Sequence, residues 1–92
     1  MSVTVRVPTI LRTLTSGESE VAVDGAATLA ELIDKLEAAH PGIRARVLDD
    51  DGKLRRFVNV YVGEDDVRFS EGLQTATPDG ATVSIIPAVA GG

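Results

Sequence analysis

Residues 28–42 read TLAELIDKLEAAHPG and carry the pattern of one amphipathic helix. Thr28 and Glu31 fit a capping box, in which the Thr28 hydroxyl accepts from the Glu31 amide while the Glu31 carboxylate reaches back to the cap. Pro41-Gly42 ends the helix. The apolar residues recur at helical spacing along one side, at Leu29, Leu32, Ile33, Leu36 and Ala39. This stripe predicts a helix that packs one face against another layer of the fold.

Two strand patterns precede the helix. The first alternates valines with polar residues from Val3 up to Pro8, and the second centres on Val21 and Val23. Residues 9–17 lie between them and end in Thr-Ser-Gly, so we interpret them as a wide turn whose leucines fold back onto the core.

Three further strand patterns follow the helix, after a short helical turn at Ile43–Leu48 and an acidic loop. Phe57–Val62 is the strongest, and Val67–Phe69 is a short strand that follows a hairpin connection. Gly72–Gly80 is predicted to be an irregular linker, and Ala81–Ile86 is the last strand. Alternation in Phe57–Val62 places one set of side chains toward the helix, Val58, Val60 and Val62, and the other set away from it, Phe57, Asn59 and Tyr61.

This order of elements predicts an α+β fold of the β-grasp type, a mixed sheet of about five strands with one main helix packed across it. The first and last strands run parallel at the sheet centre, because the intervening helix provides the crossover that parallel pairing requires. Residues 1–87 form the domain in this interpretation, and residues 88–92 form a flexible tail. The expected core joins two sets of side chains, Val3, Val5, Val7, Val58, Val60, Val62, Val83 and Ile85 from the sheet and Leu29, Leu32, Ile33 and Leu36 from the helix.

Composition limits the possible functions of the chain. Its 92 residues suit one domain. The chain has 43% hydrophobic and 25% charged residues, a composition typical of a globular protein with a packed core. Without cysteine, the chain has no thiol nucleophile, disulfide or thiolate metal site. The net charge of -5 argues against nucleic-acid or anionic-membrane surfaces and favours protein partners with basic docking faces. No signal-peptide or membrane-spanning pattern is present, so we expect a cytoplasmic protein that is monomeric when free.

The C-terminal residues carry the chemistry that we expect of the chain. Ala88-Val89-Ala90-Gly91-Gly92 follows a strand and a proline with small residues and two terminal glycines. A frayed end is the simplest explanation, but its position after a compact fold favours a functional tail. Glycine lacks Cβ, so the backbone can thread a narrow channel and leave the terminal carboxylate open to attack.

Several stretches together resemble the MoaD and ThiS family of ubiquitin-like sulfur carriers, and most closely its CysO-type branch. They are Val5-Arg6-Val7-Pro8-Thr9-Ile10-Leu11-Arg12, Arg56-Phe57-Val58-Asn59-Val60-Tyr61-Val62, Asp66-Val67-Arg68-Phe69 and Ile86-Pro87-Ala88-Val89-Ala90-Gly91-Gly92. The tail is shared with MoaD-like carriers, so the N-terminal and middle stretches favour the CysO-type branch.

The resemblance implies a carrier protein rather than an enzyme. Gly92 would be adenylated with ATP by a partner similar to ubiquitin-activating (E1-like) enzymes, and sulfur would then displace AMP to give a C-terminal thiocarboxylate. Ala88, Val89, Ala90 and Gly91 would guide this group into partner sites. In the CysO-type scheme, a pyridoxal-phosphate cysteine synthase accepts the sulfur for cysteine biosynthesis, and a metallopeptidase releases the product. ATP and pyridoxal phosphate therefore belong to partners, and this chain is expected to bind no cofactor.

Other candidate sites have weaker sequence support. Three apolar or aromatic residues lie on the predicted sheet face away from the helix, namely Phe57, Tyr61 and Ile86. They form either a docking patch for a partner or a surface that the Gly72–Gly80 linker covers. The run Asp49–Asp51 lacks the spacing of a calcium loop, so we predict no metal site and no catalytic residue in this chain.

Three alternatives to a cysteine-pathway carrier stay open. A MoaD-like small subunit would donate sulfur to molybdopterin, and a ubiquitin-like modifier would be joined through Gly92 to lysines of other proteins. An interaction module with an incidental Gly-Gly end is the third.

Overall fold

The structure, a computed structural model, describes residues 2–56 and 58–87 of the chain. Its sheet is built from five strands, and two α-helices lie between the second and third of them. Three short 3-10 helices connect these elements, at Thr9–Thr15, Val67–Phe69 and Gly72–Gln74. The strands and α-helices are, in chain order, β1 (Ser2–Arg6), β2 (Glu20–Asp24), α1 (Leu29–Ala39), α2 (Ile43–Val47), β3 (Val58–Val62), β4 (Asp65–Asp66) and β5 (Thr82–Pro87).

The strand order is β2-β1-β5-β3-β4, which puts β5 at the centre of the sheet. β1 and β5 run parallel, with Val5 beside Val83, while the other neighbouring strands are antiparallel. A parallel pair needs a long crossover, and the helical segment supplies it. The predicted mixed β-grasp sheet with its parallel first and last strands is confirmed.

The predicted helix is confirmed as α1, with a change in its cap. Thr28 is the N-cap residue, and its hydroxyl accepts from the Glu31 amide at 3.4 Å. The Glu31 carboxylate, however, accepts from the Ala27 amide at 3.3 Å rather than from Thr28. The cap therefore satisfies an amide one residue earlier than a capping box would.

The second helix follows directly because Gly42 turns the chain. Its φ of +101° lies in a region that L side chains avoid, and it ends the α1 segment where Pro41-Gly42 was predicted to do so. The Glu37 carboxylate accepts from the amides of Gly42 and Arg44 at 2.9 to 3.1 Å. These bonds join the end of α1 to the start of α2 and lower the pKa of Glu37, with the Gly42 amide the largest cause.

The core lies between α1 and one face of the sheet. The predicted core residues are all buried except Val62, which is partly buried and packs against the core. Ala39, the last residue of the predicted stripe, is exposed. Further buried residues come from the connecting segments and the second helix, among them Leu11, Ile43, Val47, Leu48 and Val67.

Two predicted local structures were wrong. Val67–Phe69 is a 3-10 turn and not a strand, because the Asp66 carboxylate accepts from the Arg68 amide at 2.9 Å and caps the turn. The strand of this hairpin is Asp65–Asp66 instead. The wide turn predicted for residues 9–17 is largely the helical segment Thr9–Thr15, although its leucines do pack inward as expected.

Candidate functional site

The predicted tail is attached to the central strand of the sheet. β5 pairs with β3 in antiparallel orientation. In this register Ile86 lies opposite Asn59, and Pro87 lies opposite Val58. The β1 ladder ends at Ser84, so within the described residues the end of β5 is held by β3. Ala88, Val89, Ala90, Gly91 and Gly92 lie outside the described residues, as does Phe57.

Two members of the predicted docking patch lie on the sheet face away from α1. Ile86 is 47% exposed, and Tyr61 is half-buried beside Ser84 of β5. The linker does not lie over them, because its residues hydrogen bond to the start of the helical segment, through Thr75 to Leu29 and through Thr77 to Ala27. This sheet face is therefore open at Ile86, and its docking role stays a prediction.

A cavity of about 530 Å³ opens beside the end of β5. It lies between the Thr9–Thr15 segment and the ends of β1, β2 and β5, and its lining includes Arg6, Arg12, Glu20, Ser84 and Ile86. Arg12 is held in place because its Nε donates to the Val7 carbonyl at 3.2 Å. Neither Arg6 nor Arg12 was predicted to be a site residue, although strand alternation places Arg6 on the face opposite the buried valines.

One group of polar side chains was also missed by the sequence analysis. Arg68 donates through Nη1 to Asn59 Oδ1 at 2.7 Å and through Nη2 to the Arg55 carbonyl. Asn59 is the residue opposite Ile86 in the register. No local pattern predicts this contact, since it joins β3 to the 3-10 turn that follows β4.

The acidic loop is a structural turn. The Asp49 carboxylate accepts from the amides of Asp51 and Lys53 at 2.9 and 3.0 Å, and the Lys53 amide is the largest cause that lowers the pKa of Asp49. Within residues 2–56 and 58–87, no group of His, Asp and Glu side chains has the arrangement of a metal site. Neither α1 nor α2, nor any other described helix, is long and apolar enough to cross a membrane.

A five-stranded β-grasp sheet with a C-terminal extension from its central strand defines a small ubiquitin-like protein. The chain belongs to the ThiS family, whose model matches residues 5–92. The matched region includes the whole predicted tail.

Individual relatives agree with this assignment. The sulfur carrier protein CysO of Mycobacterium tuberculosis is 54% identical over an alignment of 94 residues that covers 100% of both chains. A crystal structure of the Amycolatopsis orientalis BexX/CysO complex contains a chain with a TM-score of 0.90 and 54% identity, covering 98% of this chain and 99% of that one. Small archaeal modifier protein 3 of Haloferax volcanii is 39% identical over 70 residues, 76% of this chain and 75% of the relative.

These comparisons confirm the predicted family, the ubiquitin-like β-grasp fold and a sulfur carrier rather than an enzyme. The relatives are named as carriers or modifiers.

Proposed function

We propose that the Gly92 carboxylate is the sulfur-carrying group of this protein and that the sulfur serves cysteine biosynthesis. The observation that carries the proposal is the full-length similarity to proteins named CysO, together with a family match that reaches residue 92. A carboxylate is a poor electrophile, so an E1-like partner would adenylate it with ATP before sulfur displaces AMP. The Amycolatopsis carrier was crystallised with a partner protein, which supports a function exercised in complexes.

The structure supports the physical part of this proposal. β5 is the central strand and pairs with β3 as far as Pro87, so the residues after it start from a point that the sheet holds in place. Five residues after Pro87 can extend about 17 Å, at 3.3 to 3.6 Å per residue. That length is enough to reach an active site recessed in a partner while the domain stays outside. Fixing the carrier on the partner would raise the local concentration of the thiocarboxylate at the acceptor.

Later steps would take place on other proteins. A pyridoxal-phosphate cysteine synthase would accept the sulfur, and a metallopeptidase would release cysteine from the tail. ATP and pyridoxal phosphate would be bound by these partners. We place the protein in the cytoplasm, where such enzymes work on soluble metabolites.

The test is the intact mass of the protein taken from its own cells under thiol-free conditions. We expect a fraction whose mass exceeds the unmodified chain by the difference between sulfur and oxygen, located at Gly92 by fragmentation. The control is protein from cells that lack the activating enzyme, in which this fraction should vanish. Only the unmodified carboxylate in both samples would contradict the proposal.

A modifier function is the second candidate, because the Haloferax relative is named a modifier protein. In that case Gly92 would end in isopeptide bonds to lysines of other proteins. Immunoblots of lysates would show a ladder of larger species that depends on Gly92. A MoaD-like function would instead show a large subunit that co-purifies with the chain.

A further inference from the structure

Arg68 connects three separate parts of the chain around the end of β5. Its backbone amide donates to the Asp66 carboxylate at 2.9 Å, which fixes the start of the 3-10 turn. Its guanidinium extends back over β3 to Asn59 Oδ1 at 2.7 Å and to the carbonyl of Arg55. The side chain thus holds Asn59 in one orientation, at the position opposite Ile86.

This contact decides which atom of Asn59 is left for other partners. A guanidinium has hydrogen-bond donors and no acceptor, so the atom that faces Arg68 must be the amide oxygen. The amide nitrogen Nδ2, with two hydrogens, has no hydrogen-bond acceptor in the part of the chain that the structure describes. Asn59 is half-exposed on the open sheet face. It therefore presents an unused donor beside the base of the tail.

The surroundings of this donor carry positive charge. We define the tail-root surface as Arg6, Arg12, Asn59, Arg68 and Ile86, which surround the end of β5 on the open face. Three of these residues are cationic. Two carboxylates lie next to them, Glu20 opposite Arg6 and Asp66 against the Arg68 amide, so positive charges outnumber negative ones here. The chain as a whole has a net charge of -5, so this surface differs in sign from the protein that bears it. A cationic surface with a free donor is complementary to a carboxylate.

We propose that the tail-root surface docks on a carboxylate side chain of the activating enzyme, and that Asn59 donates to it through Nδ2. Arg68 is the positioning residue that keeps this donor pointing outward, and it adds positive charge behind it. This proposal rests on the proposed function, because it assigns the partner of the same tail. It adds a recognition contact that acts before Gly92 reaches the adenylation site.

Asn59→Asp separates docking from folding. The new carboxylate still accepts from Arg68, so we expect the melting temperature to be kept. The outward-facing group, however, changes from a donor to an acceptor and repels the partner's carboxylate. We expect the Kd for the activating enzyme, measured by calorimetry on the full chain, to rise about tenfold or more. The KM of ATP-dependent loading should rise similarly, with kcat unchanged.

Gln74→Glu is the matched control, since it makes the same amide-to-carboxylate change at an exposed position in the Gly72–Gln74 turn. It should bind like the wild type. Arg68→Ala should weaken binding, and Arg68→Lys should restore part of it because a donor and the charge are kept. The proposal would be overturned if Asn59→Asp bound the activating enzyme with the wild-type Kd. It would also be overturned if Gln74→Glu raised this Kd as much as Asn59→Asp does. Wild-type binding without loading would overturn the proposed function, and the binding comparison would still decide the role of Asn59.

Discussion

Val60 lies on β3 with its side chain in the core between the sheet and α1. It is 1% exposed, and its neighbour across the ladder, Ile85, is buried as well. The alternation in Phe57–Val62 predicted this orientation correctly. The strand is next to the central one rather than central, because β5 takes the middle position.

Val60→Asp should unfold the domain, because the new carboxylate would be buried without a partner. Such a change costs about 4 kcal/mol or more, which is close to the whole stability of a small domain. Circular dichroism during heating measures it. Ala22→Asp is the control, since Ala22 is exposed on β2 of the same sheet and should tolerate the charge. An undiminished thermal transition for Val60→Asp would contradict the assigned core face.

At the residue scale, the sequence predicted the buried side chains better than the polar contacts. Val83 and Ile85 follow the simple period of a strand, so their burial could be foreseen. The bond between Arg68 and Asn59 could not, because it joins residues nine positions apart through a turn that was expected to be a strand. Phe69, which a strand would have half-buried, is 89% exposed for the same reason.

The joint between α1 and α2 is the element whose stability depends most clearly on a single carboxylate. Glu37 accepts hydrogen bonds from Gly42 and Arg44, and these bonds hold its pKa below the ordinary value of 4.5. Folding therefore favours the ionised form of Glu37. This contribution to stability is complete above pH 4.5 and is lost as the pH falls through the lower folded pKa.

Glu37→Gln should lower the melting temperature at neutral pH, because an amide oxygen accepts these two bonds less strongly than a carboxylate. The difference from the wild type should shrink as the pH falls below 4.5, where wild-type Glu37 becomes protonated. Melting curves between neutral and acidic pH give the comparison. Asp34→Asn serves as the control, since the Asp34 side chain is 70% exposed and its carboxylate accepts from the exposed Arg44 side chain, at 3.3 Å. A Glu37→Gln deficit that is constant across this range would refute the assignment.

Elements with a repeating apolar pattern could be predicted from the sequence. Elements whose conformation depends on a single capping hydrogen bond could not. α1 has four buried positions at helical spacing, so its existence did not depend on any single contact. Val67-Arg68-Phe69 alternates like a strand over only three residues. That pattern is too short to outweigh the bond between the Asp66 carboxylate and the Arg68 amide.

In the whole molecule, the central strand of the sheet, β5, directly precedes the predicted tail. A helix between the first and last strands predicts parallel pairing of β1 and β5, and that pairing makes β5 central. The topology was therefore foreseeable from the position of one helix. The fold does not determine which partner the tail enters, since that depends on side chains such as Asn59 and Arg68, whose arrangement emerges only in three dimensions.

Deleting Gly91 and Gly92 should separate the fold from the chemistry. Stability should stay nearly unchanged, because glycines have no side chains to bury and the core is complete within the described domain. Loading should be abolished, because a chain that ends at Ala90 falls two residues short, about 7 Å at full extension, and attack geometry tolerates far less. Gln74→Glu leaves the whole tail unchanged, so it should still be loaded. The measurements are the melting temperature and ATP-dependent thiocarboxylate formation by the cognate activating enzyme. Retained loading of the truncated chain would show that Gly92 is not the acceptor, and a large loss of stability would show that the tail packs against the domain.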